Sequence, residues 1–186
     1  MMRKLTFLVL LLQLCISPVM AQNDPSQVPK EAMAKLHGII GNWSVTSYYY
    51  NQQQALFERQ ANSTMSVTSI LKGLGLRESP VRVNDGNTIG IEVTFGYDQY
   101  RNVYRLYVLD DSFGVPDIYE GTVVGDQLIA TNIGLGTSYP LENGGKLEFR
   151  FTMDLSGDKR EVKIHMTANE GKQWLPMYRY EYERIE

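Results

Sequence analysis

Few side chains in this sequence are of the kinds that make and break bonds, and their positions decide which of them can act together. There are two histidines. His165 alternates with Lys163 and Thr167, opposite an apolar face of Val162, Ile164 and Met166, so it is expected on a solvated outer surface rather than as a ligand. His37 lies near the end of a helical stretch, where a cation favours the helix dipole. No Ser/His/acid set can be assembled from histidines placed like these. The acids Asp110, Asp111, Asp117 and Glu120 offer hard oxygen ligands, but Asp110-Asp111-Ser112-Phe113-Gly114 lacks the spacing and closing acid of a calcium loop and reads as a solvated turn. Glu120 shares a face with Ile118, Thr122 and Val124. If that face is interior, its carboxylate needs Arg105 or a tyrosine hydroxyl as partner, or it orients a ligand. Gly73-Leu74-Gly75 and Gly134-Leu135-Gly136 are too bare for phosphate loops, since no helix pattern or Lys-Ser/Thr follows. Asn42-Trp43-Ser44 and Asn62-Ser63-Thr64 match the glycosylation triplet, which is common by chance. The expected site therefore holds no catalytic residue and no metal ligand, and calls for no cofactor.

The informative excess is tyrosine, with 12 residues. Near the C-terminus Tyr178, Tyr180, Tyr182 and Arg184 fall on one face of an alternating segment, while Arg179, Glu181 and Glu183 fall on the other. Tyr49 shares its parity with Trp43 and Val45. If these faces turn inward together with Phe95, Phe149, Phe151, Met153 and Met166, they make an aromatic, adaptable interior with scattered hydroxyls. Such an interior suits a small, mostly apolar ligand with a polar end. The candidate ligand-binding set is Tyr49, Phe95, Glu120, Phe149, Phe151, Met166, Tyr178 and Tyr180. The opposing reading is a core packed solid by those same large residues.

Strands must position these side chains. Leu147, Phe149, Phe151, Met153 and Leu155 alternate with Glu148, Arg150, Thr152 and Asp154, and Val162–Met166 and Ile91–Tyr97 repeat the period of two. Turn signals stand between such runs at Asn84-Asp85-Gly86-Asn87, Gly125-Asp126, Glu142-Asn143-Gly144-Gly145 and Ser156-Gly157-Asp158. The expected strand cores are Trp43–Tyr50, Leu56–Gln60, Thr64–Leu71, Pro80–Val83, Ile89–Tyr97, Val103–Leu109, Ile118–Val124, Gln127–Asn132, Lys146–Leu155, Arg160–Ala168 and Met177–Ile185. The short Pro80 segment is counted with a neighbour. About ten strands joined by short turns give an all-β fold, an antiparallel up-and-down barrel that removes its own edges. One amphipathic helix is expected over Lys30–Ile39. The longest loops, Lys72–Ser79 and Ile133–Gly145, are read as borders of the barrel mouth.

The chain has 186 residues, 43% of them hydrophobic and 21% charged, which are ordinary values for a single globular domain. Basic Arg3 and Lys4, the apolar run from Leu5 towards Ile16 and the Ser17-Pro18-Val19-Met20-Ala21 segment have the form of a secretory signal cut after Ala21. The expected organisation is a signal peptide over 1–21, a disordered leader over 22–29 and a barrel domain over 30–186. The destination is the periplasm or the extracellular medium. Removing the signal takes the net charge from −3 to −5, because it carries two basic residues and no acid. Nucleic acid is then not an expected partner, and no stable membrane insertion is expected after cleavage. The only cysteine, Cys15, leaves with the signal, and with it any disulfide, Cys-zinc site or cysteine nucleophile.

In a closed meander with an even number of strands, the first and last strands are antiparallel neighbours. Trp43 would then meet Arg184, and a guanidinium over the indole would close the sheet structurally. Leu36 with Gly41 and Trp43, Gly96-Tyr97-Asp98 leading to Tyr104, then Asp110, Glu120-Gly121 and a closing Tyr182-Glu183-Arg184 together resemble the bacterial domain-of-unknown-function family fifteen seventy-nine, a lipocalin-like, calycin β-barrel family. An extended Gly-rich stretch near Gly73 and Gly75 departs from that pattern. The resemblance implies a fold and little chemistry. Calycin barrels of the nitrobindin type hold haem through a histidine, which makes haem at His165 an alternative, against its outward parity. The expectation is an exported, lipocalin-like barrel that binds a small hydrophobic or amphipathic ligand without catalysis. Its alternatives are a filled structural or interaction barrel, or a haem carrier or enzyme drawing on Glu120, Asp98 or His165.

Overall fold

A computed structural model describes residues 24–82, 90–111 and 114–185. The expected signal Met1–Ala21 and the Asn84-Asp85-Gly86-Asn87 turn lie outside the described residues. A short helix α1 (Gln27–Ala34) and a 3-10 turn (His37–Ile39) precede strands β1 (Gly41–Asn51), β2 (Leu56–Ile70), β3 (Gly75–Arg82), β4 (Ile91–Asp98), β5 (Val103–Asp110) and β6 (Asp117–Val124). There follow β7 (Gln127–Thr131), a two-residue β8 (Tyr139–Pro140), β9 (Lys146–Asp154), β10 (Lys159–Thr167) and β11 (Leu175–Ile185). Each strand from β1 to β6 pairs antiparallel with the next, β7 pairs with β9, β9 with β10, and β10 and β11 return the sheet to β1. The result is a closed antiparallel barrel of ten strands, with β8 as a spur on β9.

Alternation and closure together decide what lies inside. Trp43, Val45, Ser47 and Tyr49 on β1 face Arg184, Tyr182, Tyr180 and Tyr178 on β11, so these residues share the inner wall. The helix covers the lower end, where β1 begins. Met33, Leu36 and Ile39 are fully buried there, the Tyr104 hydroxyl donates to the Ala32 carbonyl at 2.8 Å, and the Trp43 indole donates to the Ile39 carbonyl at 2.9 Å. Arg184 reaches over the same floor. Its guanidinium lies 4.3 Å from the Trp43 ring centroid and donates to the Ile40 and Gly38 carbonyls at 2.8 Å each. Gly41 has φ 138°, and a Cβ there would collide with that guanidinium, so this approach requires glycine. Arg184→Ala is expected to lower stability by about 1–3 kcal/mol, read by equilibrium unfolding. A change under a few tenths would show that the contact does not help to close the sheet.

Three local expectations are corrected. The α-helix begins at Gln27, not Lys30, so residues read as disordered leader form its first turn; Pro29 is accommodated because first-turn N–H groups have no intrahelical partner. The expected Leu56–Gln60 and Thr64–Leu71 segments are one 15-residue strand, β2, which absorbs a register shift opposite Ser47/Tyr48. Lys72–Ser79 is not a mouth loop: from Gly75 it is strand β3, which starts at the floor. A Cβ on Gly75 would lie 3.0 Å from the Phe95 carbonyl oxygen of β4, which is why the strand can open so close to its neighbour. Among the described residues, no helix is long and apolar enough to cross a membrane.

Candidate ligand-binding end of the barrel

The interior has two unlike halves. The lower half is closed to bulk solvent. Trp43, Val45, Met65, Leu76, Phe95, Leu106, Met153, Val162 and Tyr182 are all buried there, wrapped around an ion pair between Arg160 and Glu78. Arg160 Nη2 lies 3.4 Å from Glu78 Oε2, and the Tyr182 hydroxyl donates to Glu78 Oε1 at 2.6 Å. The Arg160 guanidinium also lies 3.9 Å from the Tyr182 ring centroid and 4.6 Å from that of Trp43. Burial, reinforced by the Glu78 charge, pushes the Tyr182 hydroxyl well up, so the phenol stays neutral and donates. Two charges survive in this core because aromatic faces and a phenol surround them.

Above Tyr182 the inward residues become partly accessible. Tyr180, Tyr178, Ile164, Phe149 and Met166 are half-buried, and Tyr49 is 39% exposed. Tyr49 packs on Tyr178 with ring centroids 5.5 Å apart, and Tyr178 on Tyr180 at 6.1 Å. Desolvation raises the Tyr180 hydroxyl, with the Tyr178 and Asp110 neighbours contributing less. Burial likewise raises Tyr178, with the Tyr49 and Asp110 neighbours contributing less, and raises Tyr119 strongly, with Asp117 adding to it. Neutral phenols therefore line this end across the physiological pH range. On the wall, Asn132 is fully buried; it accepts from the Phe149 amide at 2.6 Å and donates to Asp117 at 3.1 and 3.2 Å, while the Thr137 hydroxyl donates to Asp117 at 2.5 Å. A recess of about 130 Å³ opens at the rim between Leu147, Met166, Leu175 and the loop carrying Asn169 and Gln173. A second, of about 180 Å³, lies at the lower end between Lys35 and Tyr97.

Of the sequence-derived candidates, the structure brings Tyr49, Phe149, Met166, Tyr178 and Tyr180 to the upper end. Phe151 is buried beneath them, and Phe95 belongs to the packed lower half. Glu120 is a correction. On β6 the inward positions are Asp117, Tyr119 and Gly121, each paired with an inward residue of β5 or β7, so Glu120 faces outward and ion-pairs with Arg105, itself 3.5 Å from Asp98. His165 also faces outward, opposite Arg150 of β9; burial and the Arg150 charge lower its pKa, and its Nδ1 has no hydrogen-bond partner among the described residues. From that wall it cannot reach a group inside the barrel. Among the described residues, no set of three or more His, Cys, Asp or Glu is placed to hold a metal ion. The residues missed by sequence reasoning are Arg160 and Glu78. Arg160 shares its parity with Val162 and Ile164, a signal that was present; Glu78 lay in the segment read as a loop.

Fold and site together define a closed antiparallel barrel, plugged by a helix and packed solid at one end, with a tyrosine-lined opposite end. No family profile matches the chain, and no curated protein matches it in sequence. Among solved structures, a DUF3598-family protein of unknown function from Nostoc punctiforme is 8% identical with a TM-score of 0.25, over 83% of this chain and 99% of that one. The resemblance to family fifteen seventy-nine is thereby corrected: no family model matches the chain.

Proposed function

We propose that the protein is a non-catalytic binding barrel that holds one small amphipathic molecule at its upper end. The observation that carries this reading is the change in accessibility along the inner wall, from the buried Tyr182 level to the partly accessible Tyr180 and Tyr178 level. Aromatic rings and Ile164 supply apolar contact, and neutral phenols supply donors for a polar end. Export belongs to the same reading and rests on the signal features of Met1–Ala21. The packed lower half favours a second reading, a structural barrel whose upper end holds only solvent.

One experiment addresses these readings together. Full-length protein is expressed in a bacterium, recovered from the periplasm or medium, and analysed by intact and native mass spectrometry. The expected result is a chain starting at Gln22 that releases an organic molecule on denaturation, with a melting temperature raised by re-addition of that molecule. A chain retaining Met1–Ala21 would reject export. A clean apo spectrum with no thermal shift across a panel of amphiphiles would reject binding and leave the structural barrel.

A further inference from the structure

We propose that the molecule held at the upper end is a cationic amphiphile, an alkyl amine or quaternary ammonium whose charged head lies among Tyr49, Tyr178 and Tyr180 and whose chain rests on Phe149. This rests on the binding reading above and adds the sign of the ligand's charge.

Two observations carry it. The first is the aromatic surface: the Tyr49, Tyr178 and Tyr180 rings adjoin one another, and neutral phenol rings present the negative face that attracts an ammonium group. The second is the sign of the fixed charge. The inward positions at this end include Glu58, paired with Tyr49 across β1 and β2, and Asp117, paired with the inward Val108 of β5. The side chains that hold Glu58 and Asp117 are uncharged: the Asn51 amide donates to Glu58 at 2.7 Å, and Asn132 and Thr137 donate to Asp117. Arg160 is paired with Glu78 a level below and Arg184 is held at the floor by the Gly38 and Ile40 carbonyls, so neither offers anything to an anionic head at the upper end. An anion here would face carboxylates and ring faces; a cation finds both favourable, the more so because the surroundings screen less than water.

The test uses three probes with one chain length, decyltrimethylammonium, decanoate and decanol, titrated into the mature protein below their aggregation concentrations and read by calorimetry. The cation is expected to bind at least about tenfold tighter than either other probe. Asp117→Asn and Glu58→Gln are each expected to erode that preference while leaving decanol unchanged; Glu58→Gln, at the rim, serves if Asp117→Asn does not fold. Equal binding of all three, tighter binding of decanoate, or a preference unchanged in folded variants would overturn the charge assignment while sparing the binding reading. Binding of none would overturn the binding reading itself.

Discussion

Glu78→Ala is expected to cost about 3–5 kcal/mol of stability, because it strands a guanidinium that cannot reach water. The side chains of Arg160 and Glu78 are 1% and 3% exposed, and among the described residues Glu78 is the carboxylate that pairs with Arg160. With alanine at 78, Arg160 would keep two aromatic faces and a 2.9 Å contact with the Met153 sulfur, and the Tyr182 hydroxyl would lose its acceptor. Rings and a thioether offset part of a buried charge, each about 0.5–2 kcal/mol, but do not replace a carboxylate. For a domain of this size the loss corresponds to a fall of about 6–20 °C in Tm. The control is Glu78→Leu with Arg160→Met. It removes both charges at similar volume and is expected to recover most of the loss, or to exceed the wild type by about 1–4 kcal/mol. A single variant within about 1 kcal/mol of wild type would mean that water enters the lower barrel and solvates Arg160.

This ion pair also marks how far the sequence could be read. Alternation is unbroken over β9 and β10 and, beyond an irregularity before Tyr178, over the rest of β11, so the inner wall there, from Phe149 to Tyr182, is legible residue by residue, and closure of an even-stranded meander brings Trp43 to Arg184. β3 is illegible because its inward positions are Leu76, Glu78 and Pro80, a pattern in which a buried acid and a proline stand where apolar residues should repeat. Glu120 was misplaced for the opposite reason: β6 carries Ile118 and Val124 on one face and Tyr119 and Val123 on the other, so hydrophobicity does not say which face is inside. Its partner settles it, since Arg105 alternates with the buried Tyr104 and Leu106. Parity carries no information about height along the barrel axis. It therefore could not separate Phe95, packed near the floor, from Tyr178, which meets solvent.

Trp43 is where the floor and the ion pair meet, and its removal is expected to match the loss of Glu78. The indole is fully buried, so Trp43→Ala leaves a large cavity beside packed strands, at a cost of about 3–5 kcal/mol. Two guanidinium groups rest against the ring, Arg160 at 4.6 Å from the interior and Arg184 at 4.3 Å from the floor. Without the ring, two cations would lie across a void with no aromatic surface between them. The more discriminating variant is Trp43→Phe, which keeps most of the apolar bulk. It removes the indole donor, leaving the Ile39 carbonyl short of a partner, and offers both arginines a weaker face; together these are expected to cost about 1.5–3 kcal/mol. If the ring acts through both cations, a double-mutant cycle of Trp43→Phe with Arg184→Ala should show a coupling of about 0.5–1 kcal/mol, because the second change removes an interaction the first has already weakened. Strict additivity would reduce Trp43 to a space-filling core residue. It would also place the closure energy in the hydrogen bonds from Arg184 to the Gly38 and Ile40 carbonyls, which survive the loss of the indole.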